Sequence, residues 1–109
     1  MSLVTTHVLN ITVGEPAEGV RVILEFRETA TQPWVRVGEG RTDAHGRLQN
    51  LLPEDNAAKP GVYCLRFDTA PLSPFFPEVV VQFVISDLHR HYHIPLLLGR
   101  FGYSTYRGS

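Results

Sequence analysis

Five histidines stand in these 109 residues, and three of them, His89, His91 and His93, fall within one pentapeptide. Imidazole titrates nearest to neutral pH of all side chains, so such residues can carry protons or bind a metal without extreme tuning. Alternate residues of a strand share a face. His91 and His93 therefore stand together with Pro95 and Leu97, while Tyr92, Ile94, Leu96 and Leu98 make the better core face. With His89 as a third ligand the cluster could hold zinc or copper. Against that, only Asp87 supplies a nearby carboxylate, and a His-rich turn is more often solvated than metallated. His7 is open to two readings. It is either a hydrogen-bonded histidine on a half-apolar strand face, or it shares with Leu9, Ile11 and Val13 an apolar face that a second copy covers. Arg47, taken alone, is a solvated hairpin arginine. The stretch Tyr103 to Ser109 offers two tyrosines, Arg107 and small hydroxyl residues behind the apolar run Ile94 to Leu98. Taken alone they read as a last strand that frays with Arg107 solvated; His7 and the histidine cluster shift the balance toward a place beside a polar ligand.

Strands and turns must position these groups. Val20 to Arg27 alternates apolar and polar residues with the exception of Ile23, which is the period of a half-buried strand. A first strand is expected over Thr6 to Val13, closed by Gly14-Glu15-Pro16, and a third over Pro33 to Thr42 with Trp34 as its largest side chain. Asp43-Ala44-His45-Gly46 reads as a turn that hands the chain to Arg47. A polar loop over Asp55 to Pro60 precedes a strand over Gly61 to Asp68, with Tyr63, Leu65 and Phe67 on one face. Pro71-Leu72-Ser73-Pro74 leaves room for at most one short helical turn. Further strands are expected over Val79 to Ile85, His91 to Leu98 and Gly102 to Arg107. Seven or eight short strands with a turn every 8 to 12 residues describe an all-β sandwich.

Bulk properties exclude several classes. Apolar residues make up 43% of the chain, enough for one small core, and a single domain over residues 1–109 is expected. With a net charge of -1 and no cationic run, nucleic acid is not an expected partner. Nine arginines against the single Lys59 favour planar, bidentate contacts. Cys64 has no partner for a disulfide within these residues and lies in an apolar stretch. The first residues lack a basic segment followed by an apolar one, and no run reaches membrane-spanning length. A cytoplasmic protein with no membrane partner is the resulting expectation.

Several segments together resemble one family. Thr5-Thr6-His7-Val8-Leu9-Asn10, Gly14-Glu15-Pro16-Ala17, Phe75-Phe76-Pro77-Glu78-Val79, His91-Tyr92-His93-Ile94-Pro95-Leu96-Leu97-Leu98, Phe101-Gly102-Tyr103 and Tyr106-Arg107-Gly108-Ser109 are similar to the transthyretin-related 5-hydroxyisourate hydrolases. Tyr-Arg-Gly-Ser is the most specific piece, since it separates these hydrolases from the hormone-carrying transthyretins of the same fold. Asn10, His45 and Gly99-Arg100 depart from the family pattern, which more often has aspartate at the first two places and Ser-Pro at the third.

The resemblance implies a transthyretin-like (prealbumin-like) sandwich and a homotetramer with sites at the dimer–dimer interface. It places the catalytic groups on His7, Arg47 and His93, not on His91. The substrate-contacting set is His7, Arg47, Tyr106 and Ser109. The implied reaction adds water to a carbonyl of 5-hydroxyisourate and opens its six-membered ring, giving 2-oxo-4-hydroxy-4-carboxy-5-ureidoimidazoline in urate catabolism. An electron-poor cyclic amide needs a general base and charge stabilisation, so no metal or cofactor is expected. His7 leads as the water-activating base, with His93 as its partner in proton transfer. Two other classes remain in view: a transthyretin-type small-ligand carrier without chemistry, and a metal-binding or structural sandwich module built on the histidine cluster.

Overall fold

The computed structural model describes residues 2–52 and 58–108. In chain order the strands are β1 (Val4–Asn10), β2 (Glu15–Pro16), β3 (Arg21–Arg27), β4 (Val35–Arg41), β5 (Arg47–Leu48), β6 (Gly61–Asp68), β7 (Glu78–Ile85), β8 (Tyr92–Leu98) and β9 (Tyr103–Thr105). They form two sheets, and the described residues contain no helix. One sheet runs β2-β1-β8-β9, with β5 also paired to β1; the other runs β4-β3-β6-β7. All pairings are antiparallel except β1 with β8.

The core lies between the sheets. Val4 and Val8 of β1, Val22 and Leu24 of β3, Leu65 and Phe67 of β6 and Leu96 of β8 are fully buried. Each such side chain contributes roughly 1.5–3 kcal/mol by leaving water. Tyr92, Ile94 and Leu98 complete the inward row of β8, as the alternation predicts. Thr6 lies in the same inward row of β1 and is equally buried. It stays there because its hydroxyl donates to the Ile94 carbonyl at 2.6 Å, leaving no unpaired donor.

Two expected strands end early, and both ends matter to the site. The first stops at Asn10, not Val13. The Asn10 side chain accepts from the Thr12 amide at 3.1 Å, and its carbonyl accepts from the Gly14 amide at 2.9 Å. This turn sends the chain back along β1 as β2, with Leu9 opposite Pro16. Ile11 and Val13 keep the apolar alternation, which hides the turn, yet they are exposed.

The last strand spans only Tyr103–Thr105 because of Pro95. Continued one step, the β8–β9 register puts Tyr106 opposite Pro95, which has no N–H to give. The Pro95 carbonyl accepts the Thr105 hydroxyl instead, at 2.8 Å. Pairing resumes only at Gly108, whose amide donates to the His93 carbonyl at 2.7 Å.

Elsewhere the differences are small. Trp34 precedes β4 and carries the Arg27 guanidinium over its ring at 4.1 Å. The residues after Thr69 form one turn, with the Leu72 and Ser73 amides on its carbonyl. The loop expected over Asp55 to Pro60 falls largely outside the described residues.

Candidate active site

Because Val4, Thr6 and Val8 face the core, Thr5, His7 and Leu9 of β1 face outward. Across the antiparallel pairing His7 stands opposite Arg47 of β5; across the parallel pairing Thr5 stands opposite His93 of β8. Residues paired in this way share a face of the sheet, with Cα atoms about 4.5–5.5 Å apart across an antiparallel pair. Arg47, His7 and His93 thus occupy three neighbouring strands on the outer face of one sheet.

The turn before β5 explains how Arg47 is held. The Asp43 carboxylate accepts from the His45 amide at 2.8 Å and the Arg47 amide at 3.0 Å. The bond from the Arg47 amide, more than any other contact, holds the Asp43 carboxyl below its ordinary pKa. The turn closes with the Gly46 amide on the Asp43 carbonyl. Gly46 has φ +76, and a Cβ there would lie 2.4 Å from the Val8 carbonyl oxygen. Only glycine fits. Asp43 anchors the backbone of Arg47 directly, so histidine at position 45 does not loosen it.

The contribution of His45 is its backbone. The Nε2 atom of His7 donates to the His45 carbonyl at 2.9 Å. A carbonyl can only accept, so neutral His7 carries its proton on Nε2 and has its lone pair on Nδ1.

His93 is held from both sides. Its Nδ1 bonds the Thr5 hydroxyl at 2.8 Å, and the same hydroxyl bonds His91 Nε2 at 2.8 Å. On the opposite flank Gly108 approaches so closely that a Cβ would lie 2.6 Å from His93 Cδ2. Burial first, then the neighbouring His91, His7 and Arg47, keep the His93 pKa below the ordinary imidazole value. A group so placed is neutral at neutral pH and able to exchange a proton.

The remaining expected residues are less tightly engaged. Tyr106 is exposed and lines an open groove of about 230 Å³ between β7 and the last strands, with Phe83, Tyr92 and Ile94. Among the described residues it makes no side-chain hydrogen bond to His7, Arg47 or His93. Arg107 lies over the Tyr92 ring at 4.5 Å. Ser109 lies outside the described residues. His89 is exposed, its amide on the Asp87 carboxylate, and among the described residues no three His, Cys, Asp or Glu side chains are grouped to hold a metal. Cys64 is buried, and burial raises its thiol to about 11, which makes it a packing residue and not a nucleophile. Thr5, Asp43 and Gly108 are the positioning residues that the sequence reading did not single out. The direct neighbours of His7 and Arg47 in sequence hinted at them only through the turn signal Asp43 to Gly46.

A family model described as the HIUase/transthyretin family matches residues 4–108. The chain belongs to this family. A 5-hydroxyisourate hydrolase of Salmonella dublin is 44% identical over 114 residues, covering 99% of this chain and 82% of that protein. Among solved structures, sea bream transthyretin in complex with thyroxine superposes with a TM-score of 0.86 at 32% identity, covering 98% of this chain and 95% of that one. The Klebsiella pneumoniae 5-hydroxyisourate hydrolase superposes with a TM-score of 0.78 at 34% identity, covering 97% and 98%. This HIUase/transthyretin family member therefore shares its sandwich with a thyroxine-bound transthyretin and a 5-hydroxyisourate hydrolase alike. Fold alone does not choose between them.

Proposed function

We propose that this protein hydrolyses 5-hydroxyisourate to 2-oxo-4-hydroxy-4-carboxy-5-ureidoimidazoline, a step of urate degradation. The observation that carries this reading is the alignment of Arg47, His7 and His93 on adjacent strands of one face, in a chain 44% identical to a protein of that activity. A carrier needs an apolar slot and gains nothing from two oriented imidazoles beside a guanidinium.

In this reading the Nδ1 lone pair of His7 takes a proton from water as its oxygen attacks the ring carbonyl. The Arg47 guanidinium offsets negative charge growing on the carbonyl oxygen and disfavours protonation of His93. His93 supplies a proton to the departing ring nitrogen. Tyr106 and Ser109 border the substrate. Water activation by a neutral imidazole accounts for the reaction without a metal or cofactor.

One protomer offers this face as an open sheet surface, and the proposal includes a homotetramer with each site at a dimer–dimer interface. Its support is the free edges of β7 and β9 and the exposed Ile11, Val13, Val84 and Phe101. The 109 residues act as one domain, and a cytoplasmic location goes with the buried free thiol. Among the described residues no helix is long and apolar enough to cross a membrane. The deciding experiment generates 5-hydroxyisourate in situ with urate oxidase and follows its absorbance. Decay accelerated in proportion to added protein supports the proposal. Binding of the compound at an unchanged decay rate would replace it with the carrier reading.

A further inference from the structure

We propose that the Thr5 hydroxyl is a proton relay that joins His91, outside the expected catalytic set, to His93. The Thr5 oxygen lies 2.8 Å from His93 Nδ1 and 2.8 Å from His91 Nε2, and the residue is 3% exposed, so water does not compete for the hydroxyl. A hydroxyl has one proton and two lone pairs. It can donate to only one of the two rings, and the other ring must then donate to it. The two imidazoles therefore cannot choose their tautomers independently.

This constraint removes a difficulty in the hydrolytic step, on which the inference rests. A neutral imidazole is a poor acid, because giving up its only N–H leaves an anion. At His93 the loss is made good from the far side. His93 Nε2–H passes its proton to the ring nitrogen as the C–N bond breaks. The Thr5 hydroxyl passes its proton to His93 Nδ1, and His91, as the imidazolium, passes Nε2–H to the Thr5 oxygen. His93 begins and ends neutral, Thr5 begins and ends a hydroxyl, and His91 ends neutral. To reset, solvent protonates His93 Nε2 and the chain runs back: His93 Nδ1–H returns to the Thr5 oxygen and the Thr5 proton to His91 Nε2, while His7 gives the proton it took from water to solvent.

The environment suits this division. His93 is half-buried, and the titratable groups that act on it are His91, two residues before it, His7 from β1 and Arg47 from β5, with no carboxylate among them. His91 stands at the solvent end, where the positive form is hydrated. Thr5 acts through His93 and is a positioning residue.

The test compares Thr5→Val, Thr5→Ser and His91→Ala in the assembled protein. Thr5→Val keeps the shape and removes the hydroxyl; it should lower kcat about tenfold, less than loss of His93 itself, with KM within about twofold. Thr5→Ser should stay within about threefold of the parent. His91→Ala should match Thr5→Val, and the double variant should be no worse than either alone, since both cut one chain. The pH profile of kcat should change in the same way in both single variants. Wild-type kcat and pH profile in Thr5→Val, or additive losses in the double variant, would overturn the relay.

A nitrogen-15 NMR titration of the histidine rings separates this inference from the hydrolase reading, because it needs no substrate. In the parent protein, titration of His91 should switch the tautomer of His93; in Thr5→Val the two rings should respond independently. If no variant and not even the parent turns over 5-hydroxyisourate, the hydrolase reading falls. The ring titration then decides the coupling alone, and uncoupled rings in the parent would end it.

Discussion

Gly108→Ala is the sharpest perturbation of the site. The His93 ring bridges its neighbours, with Nδ1 on the Thr5 hydroxyl toward β1 and Cδ2 against Gly108 on the β9 side. The new methyl would lie 2.6 Å from Cδ2 and 3.3 Å from Cγ, so about 0.8 Å must be gained to reach ordinary contact near 3.4 Å. Moving the ring toward Thr5 cannot supply it, because the Nδ1–Oγ1 distance is already 2.8 Å. Either the ring turns away and loses Thr5, or residues 106–108 lift off and lose the 2.7 Å bond from the Gly108 amide to the His93 carbonyl. One hydrogen bond is worth about 0.5–1.5 kcal/mol of stability, a minor loss at the margin of a sheet. A catalytic group misplaced by about 1 Å costs on the order of 10²-fold in rate. Turnover of 5-hydroxyisourate generated in situ should therefore fall about a hundredfold, while thermal unfolding and circular dichroism change little. A variant retaining more than a third of the parent kcat would refute the idea that His93 is clamped between Thr5 and Gly108.

His7→Ala, Arg47→Ala and His93→Ala should each lower kcat/KM by roughly 10²–10⁴-fold with the sandwich intact, as expected for loss of an acid, base or charge stabiliser. His91→Ala should cost less than His93→Ala, and equal losses would misassign the two rings. Dialysis against a chelator should leave the rate unchanged; activity lost on chelation and restored by zinc would replace the imidazole mechanism with a metal one. Deleting residues 106–109 should remove most turnover while circular dichroism keeps the β signature, and a fully active truncated tetramer would strip Tyr106 of its role. Burial and its cationic neighbours should hold the NMR titration midpoint of His93 below the ordinary value of about 6.5. Arg47→Gln removes one charge that opposes protonation, so that midpoint should move up; a downward move would contradict the placement of Arg47.

The fold was legible wherever alternation and punctuation agreed. The strand over Gly61 to Asp68 was readable to the residue, because Tyr63, Leu65 and Phe67 alternate without interruption between a loop and a proline-rich turn. The end of β1 was not, since Ile11 and Val13 keep the period while the Asn10 side chain breaks the path. Pro95 stood in plain view, but its effect falls on Tyr106, and that pairing depends on a register set by β9.

The site divides in the same way. His7, Arg47 and His93 could be named only through the family resemblance, since His7 alone allows two readings and Arg47 alone reads as a solvated hairpin arginine. Thr5 could not, as its value comes from lying beside β8, more than eighty residues away. His45 acts through a carbonyl that every residue has. Gly108 acts through the atom it lacks.

The parallel pairing of β1 with β8 also sets the timing of biogenesis. Val4 to Asn10 leave the ribosome 88 residues ahead of their partners Tyr92 to Leu98. At roughly 5–20 residues per second, the wait is about 5–20 seconds. Meanwhile β2 and β5 can line one edge of β1, and the other edge stays open to a foreign strand. The second sheet needs only neighbouring hairpins and one longer crossing, so it can close ahead of the first. The proposed site is then assembled only when β8 docks and brings His91 and His93 against Thr5. A nascent chain stalled before that point holds a half-built sheet with one sticky margin, and no partial enzyme.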